Sequence, residues 1–195
     1  MKTPYGMLTA VLLLAVVSVP LAAQRGGRSG DARSAASSVY DSEQNGLKFP
    51  VPSGLELFTP ENPGPYTSFL SDRRIMYLVG ASSRDVSVSA RYSPGLTEAD
   101  LKASKDTLDS NPPQAKLPGY KKISVRFIKI GAGADREAVE HVYTVTTNNV
   151  PTTVRQVMFL HRGRGFTFLC SAVERQYASA DKRLFGPIFA RMEFR

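Results

Sequence analysis

The chain has 195 residues, 42% of them hydrophobic, and its 25 lysines and arginines outnumber 17 acidic residues, which gives a net charge of +8. A chain of this length suits one domain that can bury a real core. Its single cysteine, Cys170, excludes an intramolecular disulfide. Its two histidines fall short of the three or four ligands that a metal site needs.

The first 23 residues are predicted to be a secretory signal peptide. Lys2 supplies a cation, an apolar run covers Met7–Val19, and the small residues Ala22 and Ala23 follow. The alternative, a membrane anchor, needs about 20 apolar residues, which is more than this run contains. We therefore expect cleavage near Ala23 and an exported protein, either periplasmic or extracellular.

Residues 24–44 are predicted to be a flexible tether. Glycine, serine and alanine dominate Gln24–Ser38, and the segment has no apolar period. We expect the folded part to begin between Val39 and Asn45, and we assign the domain to residues 45–195.

Four short strands are predicted in the first half of the domain. They cover Leu47–Val51, Leu55–Phe58, Arg74–Gly80 and Asp85–Tyr92. Pro52–Gly54 interrupts the first two, and we expect Leu55 to resume the strand that ends before it. The last strand alternates apolar and polar side chains, which is typical of a half-buried strand.

Two helical regions are predicted, one on each side of the second group of strands. The first begins at Thr97, whose hydroxyl suits an N-cap, and ends at Asn111–Pro113, since proline cannot continue a helix. The second carries apolar residues at helical spacing from Tyr177 to Met192. Pro187 is expected to kink this helix or to restart it.

An antiparallel meander is predicted between the helices. Its strands cover Lys121–Ile130, Glu137–Thr147, Thr152–Arg162 and Phe166–Glu174, with an irregularity expected at Phe127–Ile128. Asn148 and Asn149 suit the positive φ angles of a tight hairpin turn. The order of elements predicts an α+β domain with a central antiparallel sheet flanked by helices.

The last hairpin sets the expected environment of the cysteine. If Gly163 and Arg164 form the turn, Phe159 lies opposite Phe168 and Val157 lies opposite Cys170. The thiol is then expected to be buried and inert, because reactive cysteines need exposure and nearby cations.

No catalytic constellation is recognisable in the sequence. His141 lies within a strand and His161 at a strand end, and no hairpin register places them opposite each other. Glu140 points to the face of its strand opposite to His141, so the two do not form an acid–base pair. Gly131–Asp135 looks like half of a nucleotide loop but joins two antiparallel strands, so we interpret it as a turn. We expect neither an enzyme nor a bound metal or cofactor.

Four stretches of the chain together resemble the PsbP-type domain. This is the fold of the extrinsic lumenal subunit of photosystem II, with relatives among the bacterial DcrB-like periplasmic proteins. The stretches are Asn45–Leu55, Asp85–Ala90, Phe166–Ala172 and Lys182–Phe194. The resemblance implies an α-β-α sandwich and a non-catalytic accessory role. The family's metal-binding residues have no clear counterparts here, so none is carried over.

Three functions are compatible with these observations. The leading hypothesis is an exported docking module that binds an envelope or membrane-associated protein complex. The second is a photosystem II-type extrinsic subunit of the thylakoid lumen that helps to retain calcium or chloride. The third is a small-ligand-binding protein or hydrolase that uses a cleft between sheet and helix.

The positive charge indicates the kind of partner. For an exported chain it favours an acidic protein face or an anionic membrane surface over nucleic acid. Arg162 and Arg164 flank Gly163 at an exposed hairpin tip, where they can contact such a partner without disturbing the core. These two arginines are the predicted partner-binding residues.

Overall fold

The computed structural model describes residues 39–61, 74–80 and 85–195. The predicted signal peptide and residues 24–38 of the predicted tether lie outside this range. Residues 62–73 and 81–84 also lie outside it. No helix among the described residues has the length and apolar character needed to span a membrane.

Most of the described strands form one antiparallel sheet. In chain order they are β3 (Leu55–Phe58), β4 (Arg74–Gly80), β5 (Val86–Pro94), β6 (Lys121–Ile130), β7 (Arg136–Thr147), β8 (Val150–His161) and β9 (Arg164–Val173). Within the described ranges these seven strands have the spatial order β3-β4-β5-β9-β8-β7-β6. The predicted central antiparallel sheet is therefore confirmed. Besides the four strands of the predicted meander, it includes β3, β4 and β5.

A second, smaller sheet corrects the predicted start of the domain. It consists of β1 (Val39–Ser42), β2 (Leu47–Pro50) and β10 (Glu193–Phe194), with β2 in the middle. Residues 39–44 were predicted to belong to the tether, but Tyr40 is only 4% exposed and its ring stacks on Phe49 at 4.8 Å. Burial of an aromatic ring stabilises this strand, so Val39–Ser42 belongs to the folded domain and not to the tether.

The segment after β2 also departs from the prediction. Leu55 does not resume β2, because β2 belongs to the small sheet and β3 to the edge of the large one. Pro52 accepts a hydrogen bond from the Leu55 amide, and Gly54 adopts φ +87°, a backbone conformation that favours glycine. This turn lets the chain change sheets within a few residues.

The hairpin turns fix the register of the long strands. Asn148 and Asn149 have φ angles of 51° and 62°, as predicted for a tight turn. In the next hairpin the turn residues are Arg162 and Gly163, with φ angles of 49° and 68°. The expected turn at Gly163 and Arg164 is therefore wrong by one residue.

This shift changes every cross-strand pair between β8 and β9. Phe159 lies opposite Phe166, Val157 lies opposite Phe168, and Cys170 lies opposite Arg155. Because the shift moves each partner by two positions, the same side chains still share one face. Cys170 is fully buried, as predicted.

The irregularity of β6 also differs from the expectation. The register shifts between Lys122 and Ser124, whereas pairing with β7 is continuous at Phe127 and Ile128. Ile123 is the extra residue of this bulge, and 56% of its surface is exposed.

The helices occupy both faces of the large sheet. They are α1 (Glu98–Ser110), a 3₁₀ helix (Pro113–Lys116), α2 (Glu174–Ala180), a π-helical segment (Asp181–Phe185) and α3 (Gly186–Ala190). Thr97 caps α1 in a capping box with Asp100, and Asn111 ends it, as predicted. Pro187 lies in the first turn of α3, so it restarts the helix rather than kinking it.

Neighbouring residues of β7 show how the layers are arranged. Val139 packs against Leu101 and Leu108 of α1, whereas Ala138 belongs to the main core beneath α2 and α3. Because adjacent residues of a strand point to opposite faces, α1 and the C-terminal helices lie on opposite sides of the sheet. The small sheet lies on the C-terminal side, where Phe49 meets Phe168 edge to face at 5.9 Å.

Candidate functional site

The predicted binding arginines lie at the turn between β8 and β9, beside the turn that joins β1 and β2. Arg162 Nη1 donates a hydrogen bond of 3.0 Å to the carbonyl oxygen of Glu43. Arg164 Nη1 donates one of 3.2 Å to the carbonyl oxygen of Gln44, and its guanidinium lies 5.1 Å above the ring of Tyr92. Both side chains are therefore held in place by neutral groups.

The charges of these two arginines are not compensated locally. Neither guanidinium forms an ion pair with a carboxylate of the described residues, although Arg162 is exposed and Arg164 is half-buried. Arg195, at the same end of the sheet, differs because it forms two hydrogen bonds with the carboxylate of Asp41, at 2.7 and 3.0 Å. Arg162 and Arg164 thus present fixed positive charge with free donors.

His161 lies beneath this turn and takes no part in the exposed surface. It is 7% exposed, and its ring lies 5.3 Å from that of Phe194. Burial, together with the charges of Arg136 and Arg162, lowers the pKa of His161. The imidazole is therefore neutral near pH 7 and does not add to the positive charge of the tip.

His141 lies in an aromatic cluster on the α1 side of the sheet. Its Nε2 is 3.2 Å from the hydroxyl of Tyr120, and its ring centroid lies 4.5 Å from that of Tyr143. Burial is the main cause that lowers the pKa of His141 to about 4, and the charge of Lys122 adds to it. A neutral histidine without solvent contact makes a poor general acid or base.

Glu140 lies on the opposite side of the sheet, as predicted, and is the centre of an ionic network. Its Oε2 accepts a hydrogen bond of 2.6 Å from Arg126 Nε, and its Oε1 accepts one of 2.8 Å from Arg155 Nε. Arg155 also donates to Asp181 at 2.9 Å and lies 5.1 Å above the ring of Phe189. The carboxylate is only 1% exposed and both of its oxygens are occupied.

The titratable residues singled out in the sequence thus occupy separate places. His141 pairs with Gln156 and His161 pairs with Arg164, so the histidines do not face each other. Burial raises the pKa of the Cys170 thiol, which disfavours the reactive thiolate. Among residues 39–61, 74–80 and 85–195, no three His, Cys, Asp or Glu side chains converge as metal ligands would.

The network around Glu140, whose members come from β6, β7, β8 and the π-helical segment, was not predicted from the sequence. The third functional hypothesis expected a cleft between sheet and helix, and a groove does lie between α2 and the large sheet. Its lining by Arg175 and Arg183 was not predicted. Charged residues inside strands and helices are a weak signal of either feature, because the contacts join distant parts of the chain.

Comparisons with known proteins identify the fold. No protein-family model matches the chain, and no curated protein matches its sequence. The solution structure of cyanobacterial PsbP (CyanoP) from Synechocystis superposes with a TM-score of 0.58 at 16% identity, covering 85% of this chain and 98% of CyanoP. The crystal structure of LpqN of Mycobacterium tuberculosis, involved in cell envelope biogenesis, gives 0.51 at 15% identity, covering 75% and 82%.

Both similarities cover at least 75% of the chain, and they agree with the PsbP-type resemblance of the sequence. Identities of this size establish the architecture and leave the activity to be argued from the site. The chain therefore has a PsbP-type fold.

Proposed function

We propose that this protein is a non-catalytic, exported accessory module that binds an acidic face of an envelope or membrane-associated protein complex. The observation that carries the proposal is the pair of arginines at the β8–β9 turn. Arg162 and Arg164 are fixed by main-chain carbonyls and a tyrosine ring, and neither is neutralised by a carboxylate of the described residues.

Fixed guanidinium groups favour binding for two reasons. Each arginine uses one Nη1 donor on a carbonyl oxygen, which leaves its other donors for a carboxylate of the partner. Because both side chains are already ordered, binding costs less conformational entropy than it would for free side chains. The excess of lysine and arginine over acidic residues, which persists after removal of Lys2 with the predicted signal peptide, adds long-range attraction towards an acidic surface.

The state of the reactive side chains supports a role without catalysis. His141 is buried and neutral, both oxygens of Glu140 are paired with arginines, and the Cys170 thiol is buried. Each of these groups is buried or already paired, so it is poorly placed to act as the acid, base or nucleophile of a reaction.

Export follows from the predicted signal peptide, and the solved structure of LpqN, involved in cell envelope biogenesis, provides a precedent for this fold in that setting. Intact-mass measurement of the protein secreted by its native cells tests this point. We expect a mass that lacks residues 1–23, and a mass that retains them would contradict export with cleavage.

The docking proposal is tested with the double variant Arg162→Ala, Arg164→Ala. The native envelope partner is first captured with the wild-type protein, and association is then measured at low and high salt. We expect slower association for the variant and a weaker dependence on salt, because charged contacts at a rim govern association rates. The change in the free energy of unfolding should stay within about 1 kcal/mol, since the lost contacts are near the surface.

A matched control removes the same charge elsewhere. Lys102 and Lys116 are exposed cations on the α1 side of the sheet, so Lys102→Ala, Lys116→Ala lowers the net charge equally. If both double variants slow association to the same extent, only net charge matters and the arginine pair is not the docking site. Binding to anionic vesicles in place of a protein would instead favour the membrane surface as partner.

A further inference from the structure

A groove of about 410 Å³ lies between α2 and the adjacent ends of β3, β4 and β5. Its floor is apolar and well packed, because Leu55, Val86 and Ala180 line it and are at most 7% exposed. Pockets that hold small molecules have volumes of about 300–1,000 Å³, so the groove is large enough for a small organic ligand.

One wall of this groove is cationic. Arg175, Ser179 and Arg183 line it at intervals of four residues, which places them along one side of α2 and the π-helical segment. Arg175 and Arg183 are both exposed, and neither has an ion-pair partner among the described residues. At about 1.5 Å per residue their backbones lie roughly 12 Å apart, so the long side chains can converge on one anionic group.

Acidic groups near the groove do not neutralise this wall. None of the described lining residues is acidic. The carboxylate of Asp85 comes near the groove through its contact with Gln176 Nε2, at 3.4 Å. Asp181 lies on the same segment as Arg183 but accepts a hydrogen bond from Arg155 beneath the helix. The groove therefore combines an apolar floor with two guanidinium groups that pair with no carboxylate of the described residues.

We propose that the groove binds a single-chain anionic amphiphile, with its phosphate or carboxylate head on Arg175 and Arg183 and its apolar chain along Leu55 and Val86. Guanidinium groups bind both head groups through paired hydrogen bonds, and arginine suits this geometry better than lysine. The apolar floor selects against free inorganic ions, because a hydrated ion leaves it in contact with water.

This site is separate from the arginine pair at the β8–β9 turn. Strand β5 begins beside the groove at Val86, which pairs with Ala172, and ends at Pro94, which pairs with Arg164. At about 3.3 Å per residue the two ends are roughly 26 Å apart. Changes at one site therefore leave the other intact, and the two proposals fail or succeed independently.

The experiment is a calorimetric titration of the full-length exported protein with decyl phosphate and with decanoate below their micelle concentrations. We expect saturable binding of at least one of them and much weaker binding of decanol, which lacks the charge. The double variant Arg175→Ala, Arg183→Ala should bind about tenfold more weakly or worse, the effect expected for lost charge-assisted hydrogen bonds. Circular dichroism at the same ligand concentrations checks that the fold is retained.

Two variants serve as controls. Lys182→Ala removes an exposed charge beside Arg183 without touching the groove, and it should bind as the wild type does. The variant Arg162→Ala, Arg164→Ala should also bind normally, because those residues lie at the other end of β5. Loss of amphiphile binding in either control would mean that general charge, and not the groove, holds the ligand.

Other outcomes would overturn the proposal. Absence of saturable binding of both decyl compounds excludes the site. Equal binding of decanol shows that the groove is an apolar cleft without a role for the arginines. If inorganic phosphate binds the groove as tightly as decyl phosphate does, the apolar floor contributes nothing to the affinity, and the groove is an anion site without specificity for amphiphiles. The ratio of affinities for decyl phosphate and decanoate identifies the preferred head group.

Discussion

Replacing Glu140 by glutamine tests whether the buried ionic network stabilises the fold. The change keeps the shape of the side chain and removes its charge, while Arg155 retains its contact with Asp181. The two contacts of Glu140 differ in their surroundings, because the side chain of Arg126 is 66% exposed and that of Arg155 is 13% exposed. Most of the effect must therefore come from the contact with Arg155.

The expected magnitude follows from this difference. An exposed pair contributes about 0–1 kcal/mol, so the contact with Arg126 adds little. Breaking a buried pair costs about 3–5 kcal/mol. Because Asp181 still compensates Arg155 and the glutamine oxygen can accept one hydrogen bond, we expect a loss of about 2–3 kcal/mol, at or just below the lower limit of that range.

Urea unfolding followed by circular dichroism measures this loss. With a slope of about 1–3 kcal/mol/M, the unfolding midpoint should fall by roughly 0.7–3 M. Arg126→Gln should cost less than about 1 kcal/mol. Glu137→Gln, which removes an exposed carboxylate from the same strand, should stay within about 0.5 kcal/mol. If Glu140→Gln is no more destabilising than Arg126→Gln, the network does not stabilise the fold and the reasoning fails.

Three further predictions concern other buried positions. The pKa of His141 is lowered from 6.5 to about 4, so the unfolded chain takes up a proton first as the pH falls. The free energy of unfolding is therefore not reduced by His141 above pH 6.5, and it falls by roughly 3 kcal/mol between about pH 6.5 and pH 4. His141→Phe should flatten this part of the stability profile, and parallel profiles for the two proteins would contradict the assignment. Cys170 is fully buried, so a thiol reagent should label it slowly until urea is added, and rapid labelling of the folded protein would contradict its place in the core. Gly46→Ala should destabilise more than Gly163→Ala, by about 1–3 kcal/mol, as unfolding midpoints would show. Both glycines have φ near +67°, but a Cβ would meet other atoms only at Gly46, where His161 Nε2 would lie 2.5 Å away. Equal losses in the free energy of unfolding for the two variants would rule out an effect of this contact.

Features that depend on neighbouring residues could be read from the sequence. Thr97 and Asp100 form the predicted start of α1, since the capping box needs only residues three positions apart. The alternation from Val86 onwards identified β5, and the asparagines at 148 and 149 identified a tight turn, because both signals are local. Four stretches of this kind in one order were enough for the PsbP-type resemblance, and the solved structures agree with the fold.

Features that depend on contacts between distant residues were decided only by the tertiary structure. The last turn falls at Arg162 and Gly163. There Arg162 and Arg164 donate hydrogen bonds to carbonyl oxygens of the β1–β2 turn. Residues 39–42 form a strand because Tyr40 stacks on Phe49 across the small sheet, although the sequence predicted that they belong to the tether. Arg155 meets Glu140 and Asp181 across separations of 15 and 26 residues, and no local pattern predicts such pairs. Local propensity can predict where a helix or strand begins, but the placement of charges around a groove or a turn is set by packing, which joins segments that the sequence keeps apart.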